Sequence, residues 1–173
     1  MLTGDRVVLR PLRPSDVEPL WRARLDPLTW AQTTEAPLFP ETLEAMQARY
    51  AERGTGDDDP QFAVEVDGVL AGRAGLFGID ALARLGEVGI TLLPEHRGQG
   101  LGQDVLRVLL RYAFRSRNLR RVHLQSLSSN ERALGAYRAV GFVEEGRLRE
   151  HAWVEGAYED MVLMAVLRAD WAG

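Results

Sequence analysis

Hydrophobic and polar positions change period several times along the chain, and each change predicts an element. Residues 5–12 read as a strand, with Val7 and Leu9 set against Arg6, Val8 and Arg10; Pro11 and Pro14 stop it. Ser15, Asp16, Val17 and Glu18 have the capping-box spacing of a helix start. Val17, Leu20, Trp21 and Leu25 supply that helix with an apolar stripe, and Pro19 falls near its first turn, where a missing N–H costs least. Residues 26–40 contain Pro27, Pro37 and Pro40 and read as a loop with little regular structure. A second helix spans 41–53 with Leu43, Met46 and Tyr50 on one side, and Gly54 stands where a C-terminal cap belongs. Phe62, Val64 and Val66 alternate with Ala63 and Glu65, Asp67-Gly68 is a hairpin signal, and 69–76 is the returning strand, with Gly72 and Gly75 marking a bulge or a weak stretch.

The second half repeats the alternation of strand and helix. Residues 85–93 form a strand ended by Pro94, and 95–102 form a glycine-rich turn. A helix over 103–115 has Val105, Leu109 and Tyr112 on one face. A short strand at 122–127 leads to a helix opened by Asn130, carrying Ala133, Leu134, Tyr137 and Val140 and closed by Gly141. The end is β-like, 142–153 and 158–167 around a turn at Glu155-Gly156. This order predicts an α+β architecture, one mixed and mostly antiparallel sheet flanked by helices in a single domain over 1–173.

Composition removes whole classes of chemistry. The chain has 173 residues, 46% of them hydrophobic and 27% charged, enough for one ordinary core. There is no cysteine, so disulfides, thiolate metal sites and cysteine nucleophiles are excluded. All 21 basic residues are arginine, which excludes lysine Schiff bases and the lysine of a Walker-type phosphate loop. The net charge of -4 argues against direct nucleic-acid binding. The absence of a long apolar run argues against a membrane partner. With no apolar leader at the start, a cytoplasmic location is expected. His96, His123 and His151 have no metal-ligand spacing, and no metal is expected. Arg107, Arg111 and Arg115, with Arg117, Arg120 and Arg121 beyond, read as a solvated helix face and its cationic C-terminal turn.

The informative stretch is Ile90-Thr91-Leu92-Leu93-Pro94-Glu95-His96-Arg97-Gly98-Gln99-Gly100-Leu101-Gly102. A strand, a sharp glycine turn and a helix in succession aim main-chain N–H groups at one point, at the positive end of a helix dipole. That is an anion site, suited to a phosphate or pyrophosphate. A dinucleotide fingerprint does not fit, because the glycine spacing is wrong and Arg120-Arg121 stand where an acidic residue would be needed.

Arg97-x-x-Gly100-x-Gly102 resembles the R/Q-x-x-G-x-G/A signature of the GCN5-related N-acetyltransferase (GNAT) superfamily, and Asn130…Ala133…Tyr137…Gly141-Phe142 resembles its second landmark. The opening Asp5-Arg6-Val7-Val8-Leu9-Arg10-Pro11-Leu12 is similar to the branch that modifies ribosomal-protein N-termini, the RimJ/RimL-like branch. So are His151-x-Trp153-x-x-Gly156-x-x-x-Asp160 and the final Trp171. The resemblance implies a GNAT-like fold with two splayed central strands, 87–93 and 122–127, and acetyl-coenzyme A as co-substrate. Arg97, Gly98, Gln99, Gly100, Leu101 and Gly102 would hold the pyrophosphate. The backbone of Ile90, Thr91 and Leu92 would pair with the pantetheine arm, and Asn130 would hydrogen-bond it.

Acetyl transfer to an amine needs a neutral nucleophile. An α-amine with pKa ~7.7–8.0 is roughly a tenth neutral at pH 7, whereas a lysine-type amine at ~10.4 must give up about 4–5 kcal/mol of protonation. With no cysteine, direct attack in a ternary complex is the expected route. The resemblance makes Tyr137 the general acid for the departing thiolate; helical periodicity alone would make it a core residue on the stripe with Ala133 and Leu134. Serine is frequent near this place in the RimJ/RimL-like branch, a departure that bears on the branch. Glu87 is the candidate base, or else a solvated carboxylate at a strand end. Some relatives place a glutamate where this chain has Gln125, which cannot take a proton at neutral pH. Trp30, Phe39, His151, Trp153 and Tyr158 are candidate acceptor contacts. The expected acceptor is a protein N-terminus. A small amine is the alternative, and an acidic cleft suggested by the net charge would suit either acceptor; a non-catalytic acyl-coenzyme-A sensor is the third reading. A homodimer is compatible with the sequence.

Overall fold

The computed structural model describes residues 1–32, 39, 41–53 and 59–173. Among these, eight strands form one sheet: β1 (Leu2–Thr3), β2 (Val8–Arg10), β3 (Gln61–Val66), β4 (Val69–Asp80), β5 (Leu85–Leu92), β6 (Arg121–Leu127), β7 (Val143–Val154) and β8 (Ala157–Leu167). The helices are α1 (Pro14–Arg24), α2 (Pro27–Ala31), α3 (Leu43–Arg53), α4 (Leu101–Arg111) and α5 (Glu131–Ala139). The order across the sheet is β1-β2-β3-β4-β5-β6-β8-β7, and every neighbouring pair is antiparallel except β5–β6. This is the expected mixed α+β sheet.

The exception shapes the molecule. β5 and β6 pair through only three rungs, Leu85 with Arg121, Gly86 with Val122 and Glu87 with His123. Beyond Glu87, β5 stays with β4 as far as Leu92, while β6 stays with β8 as far as Leu127. The strands therefore diverge in mid-sheet, as expected, and the residues that follow Glu87 and His123 line the gap.

Each face of the sheet has its own core. On one face Val88, Leu76, Ala74, Val64, Val122 and Leu124 pack under α4, whose Leu101, Val105, Leu106 and Leu109 are buried to within 1% exposure. On the other, Val17, Leu20 and Ala23 of α1 and Met46 of α3 close over Leu93. Leu93 belongs to the second core and Leu92 packs on the first, as strand alternation requires.

Local chemistry explains where elements depart from the sequence pattern. The first strand is shorter than residues 5–12, because the N–H groups of Asp5, Arg6 and Val7 all donate to the buried Asp104 carboxylate, at 3.1, 2.7 and 3.0 Å. Arg10, placed on the polar side by alternation, is buried. Its Nη1 and Nη2 donate to Asp16 at 2.7 and 3.0 Å and its Nε to Glu65 at 2.5 Å. α1 starts at Pro14, not at Ser15, because Asp16 accepts the Arg13 N–H at 2.7 Å; Glu18 pairs with Arg22 instead of capping. Pro19 consequently lies inside the helix and not in its first turn.

Residues 26–32 are not an irregular loop. Asp26 accepts from the Thr29 N–H at 2.8 Å and Pro27 sits at the first helical position, so α2 forms. In β4, Val64 faces Gly72 and Glu65 faces Leu70, which leaves Ala71 as the extra residue of a bulge beside the glycine that marked it. The Gly54 cap lies outside the described residues.

Candidate active site

Leu93 donates its N–H to the Ala71 carbonyl at 2.9 Å. By the alternation of an antiparallel ladder, Thr91 then turns its main chain toward β4, and Ile90 and Leu92 turn theirs into the gap between β5 and β6. The Thr91 carbonyl confirms the orientation: a Cβ on Gly72 of β4 would fall 2.2 Å from it. Of the three residues expected to offer backbone to an extended ligand, Ile90 and Leu92 are the two whose polar groups face the gap.

Leu92 is only partly available. Its carbonyl accepts the Arg97 Nε–H at 2.9 Å, and Arg97 Nη2 donates to Thr29 Oγ1 at 3.0 Å. Thr29 is anchored in turn, its hydroxyl donating to Asp26 at 2.7 Å. The Thr29 hydroxyl and N–H, with the charge of Arg97 beyond, hold the Asp26 carboxyl below its ordinary range. Arg97 therefore acts as a strut from the turn to the end of β5 and to α2.

Gly100 caps α4 with φ +78, a left-handed conformation that suits glycine. A Cβ there, or on Gly102, would meet nothing within 4 Å, so the main chain is open to a ligand at the helix's positive end. Arg132 of α5 reaches the same place, with Nη1 3.8 Å from where a Cβ on Gly98 would lie. Behind the turn, Arg6 Nη1 donates to the Gln99 carbonyl at 2.7 Å, and Gln99 Nε2 donates to the Glu95 carbonyl at 2.9 Å. Gln99, so held, is not among the residues that line the groove described next.

These parts form one groove of about 520 Å³, lined among others by Ile90, Leu92, Arg97, Gly98, Gly100, Leu101, Gly102, Asn130, Arg132 and Tyr137. Its size and its mix of main-chain N–H, two arginines and apolar wall suit an elongated ligand with a phosphate end and an apolar arm. Asn130 caps α5, its side chain accepting from the Ala133 N–H at 3.4 Å, and borders the groove. The Tyr137 ring stacks edge-on to Phe142 at 5.9 Å between centroids, and burial pushes its phenol up to about 12.

Glu87 lies on the opposite face of β5, together with Thr91, at the last rung before the gap. The remaining expected contacts are not among the groove's lining residues. Trp30 is buried on α2 with the Arg24 guanidinium 4.6 Å from its ring centroid. Phe39 is 69% exposed. His151, Trp153 and Tyr158 lie exposed on the β7–β8 hairpin, Trp153 and Tyr158 edge-on at 4.8 Å. The buried side of that hairpin, Ala152 and Val154, is the side that packs with Ala31 of α2.

Sequence reasoning missed Thr29, Asp104, Arg6 and Arg132. Asp26-Pro27 and Asp104 in the first turn of α4 were visible as helix-start chemistry, but their partners lie far away in sequence. Among the described residues, no three His, Asp or Glu side chains converge as metal ligands, and no helix is long and apolar enough to cross a membrane.

Comparison with known proteins agrees with this geometry. Residues 6–143 match the family described as "Acetyltransferase (GNAT) domain". The chain is 33% identical over 107 residues to the Bacillus subtilis protein named "Putative ribosomal N-acetyltransferase YdaF", covering 62% of this chain and 58% of that protein. It is 30% identical over 132 residues to the spermidine N(1)-acetyltransferase of Vibrio cholerae, covering 76% of each. A crystal structure of the Vibrio cholerae spermidine N-acetyltransferase with CoA and spermine superposes with a TM-score of 0.90 at 26% identity, over 98% of this chain and 100% of that one. The diverging strands, the glycine turn on α4 and these matches have one explanation: the chain belongs to the GNAT acetyltransferase family.

Proposed function

We propose that this protein transfers the acetyl group of acetyl-coenzyme A to the primary amine of a small molecule by direct attack. The observation that carries the reading is the open, glycine-capped start of α4, placed at the mouth of the β5–β6 gap with Tyr137 in the same groove. Bound there, acetyl-coenzyme A supplies an activated thioester. The α4 amides of the 97–102 turn, with Arg132, hold its phosphates, and the main chain of Ile90 and Leu92 orients its arm. Placing the thioester and the amine together supplies much of the acceleration.

The two faces of β5 divide the remaining work. On the groove face, Tyr137 donates a hydrogen bond to the sulfur as its bond to carbon breaks. A phenol near 12 lies about 3.5 units above an ordinary thiol, so complete transfer of its proton is uphill by about 5 kcal/mol. Tyr137 thus stabilises the developing thiolate more than it empties its proton onto it. On the opposite face, Glu87 receives the proton that the amine sheds as the C–N bond forms, directly or through water.

A small amine is preferred to the protein N-terminus that the terminal motifs suggested. Of the relatives named above, the spermidine acetyltransferase aligns over more of this chain than the ribosomal one does. Such an amine is protonated at neutral pH, which gives a base at Glu87 a purpose that an α-amine would not demand. Thiol release from acetyl-coenzyme A, with mass spectrometry of the products, tests the reading across small amines and N-terminal peptides. Turnover of small amines is expected; acetylation of peptides alone would return the acceptor to a protein N-terminus.

A further inference from the structure

The N-terminal segment meets the glycine turn and α4 at two points. The Arg6 N–H donates to the Asp104 carboxylate at 2.7 Å, between the N–H groups of Asp5 at 3.1 Å and Val7 at 3.0 Å, and Asp104 stands in the first turn of α4. A Cβ on Gly4 would fall 2.6 Å from Asp104 Oδ1, so only glycine lets the segment lie this close. From that anchorage the Arg6 side chain runs back past the helix start, and its Nη1 donates to the Gln99 carbonyl at 2.7 Å, 93 positions away in sequence. Arg6 is exposed and is not among the residues that line the groove. One exposed bond to a carbonyl adds little to a segment already held by three N–H groups. Its consequence falls on the turn.

The peptide between Gln99 and Gly100 needs a contact to fix it. Gly100 has φ +78 and ψ -2, the angles of the third residue of a type II turn. Reversing that peptide gives the type I arrangement with the flanking chain in place, and glycine accepts either. The chain is held on both sides: Gln99 Nε2 donates to the Glu95 carbonyl at 2.9 Å, and the Gly100 carbonyl accepts the Gln103 N–H at 3.2 Å. Neither bond sets which way the peptide between them faces. A trans peptide points its C=O and N–H in opposite directions. With the Gln99 carbonyl on Arg6, the Gly100 N–H faces away from Arg6. That is the open side, where Gly100 lines the groove and a Cβ on it would meet nothing within 4 Å. In the reversed arrangement a carbonyl oxygen would face the groove instead, and its dipole would repel a phosphate.

We propose that Arg6 is a positioning residue for the coenzyme: by holding the Gln99 carbonyl it keeps the Gly100 N–H aimed into the groove before the diphosphate arrives. The proposal rests on the reading above that the 97–102 turn takes the phosphates of acetyl-coenzyme A. Arg6 touches no ligand and acts through one peptide. An amide already turned toward the ligand binds without the cost of ordering it. The hydrogen bond at its carbonyl end also polarises the peptide and strengthens donation at the other end.

Amide dipolar couplings of the weakly aligned, isotope-labelled protein, together with calorimetry of coenzyme A, test this. In the free wild type the couplings should place the Gly100 N–H on the groove side of the turn; the opposite orientation would overturn the proposal before any variant is made. In Arg6→Met the Gly100 coupling should change while those of α4 beyond Gln103 hold, which shows an intact fold. Coenzyme A affinity should then fall about tenfold. Arg111→Gln is the control, because Arg111 donates to the Thr3 carbonyl of the same segment from the far end of α4. Its coenzyme A affinity should stay at the wild-type value. An equal loss in both variants would make Arg6 a general tether and overturn the positioning role. Wild-type affinity in Arg6→Met, or a loss with the Gly100 N–H unturned, would overturn it too. No uptake of coenzyme A by the wild type would instead overturn the reading of the groove on which the proposal rests.

Discussion

The two faces of the β5–β6 gap are built on different principles. The coenzyme face presents mostly main chain: an open glycine-capped helix start and two strand residues whose polar groups have no neighbouring strand, beside one phenol raised by burial. The opposite face presents side chains instead: Glu87 on β5 at the last rung before the gap, and Arg73 on β4, which bonds Tyr50 of α3. Main-chain recognition depends on how the chain turns and suits a ligand shared by a family. Side-chain recognition can be rewritten one residue at a time, which suits an acceptor that differs among relatives. The strut from Leu92 through Arg97 and Thr29 to Asp26 joins the two, so α2 on the acceptor face is registered against the coenzyme turn.

The sharpest way to break this division is Gly100→Val. A β-branched side chain at φ +78 strains the cap and enters the open cradle, so coenzyme A affinity should fall at least a thousandfold by calorimetry. Next comes the Arg10–Asp16–Glu65 cluster, which ties α1 to the sheet. Asp16→Asn leaves Arg10 with half its compensation and should cost about 3–5 kcal/mol in chemical denaturation. Burial raises the Asp16 carboxyl, but Arg10 and the Arg13 N–H outweigh it, so its folded pKa lies below the ordinary value. Its contribution is therefore present above about pH 4 and lost as pH falls through that value and then the folded one. The variant should lack this acid limb.

Tyr137→Phe should lower kcat about a hundredfold and leave coenzyme A affinity unchanged. In the wild type the phenol stays protonated to about pH 11, so the rate should rise as the amine deprotonates, with no tyrosine-derived decline below that pH. The smallest effect belongs to Thr29→Val, which removes one hydrogen bond to Arg97. Coenzyme A affinity should weaken about threefold, with a comparable rise in the acceptor KM because α2 loses its tie to the turn.

The same division sets what could be read from sequence. The glycine turn, the strand before it and the helix after it are contiguous, so their pattern is local and was legible, as were the Asp67-Gly68 and Glu155-Gly156 hairpins. Interactions between distant residues were not. Nothing near Asp104 announces that it binds three N–H groups about 100 positions away, and nothing near Arg10 predicts burial between Asp16 and Glu65. The capping-box spacing misled at Ser15 because Asp16 already satisfies the N-terminal N–H. The three prolines at 26–40 masked α2, whose Asp26-Pro27 start was the stronger signal.

Titrating coenzyme A into isotope-labelled protein and following the amide resonances tests the division most directly. The account predicts the largest shifts at Gly98, Gly100, Leu101 and Gly102, with Ile90 and Leu92 next and Tyr50 and Arg73 nearly still. Shifts concentrated at Tyr50, Arg73 and Arg24, with the glycine amides unmoved, would contradict it.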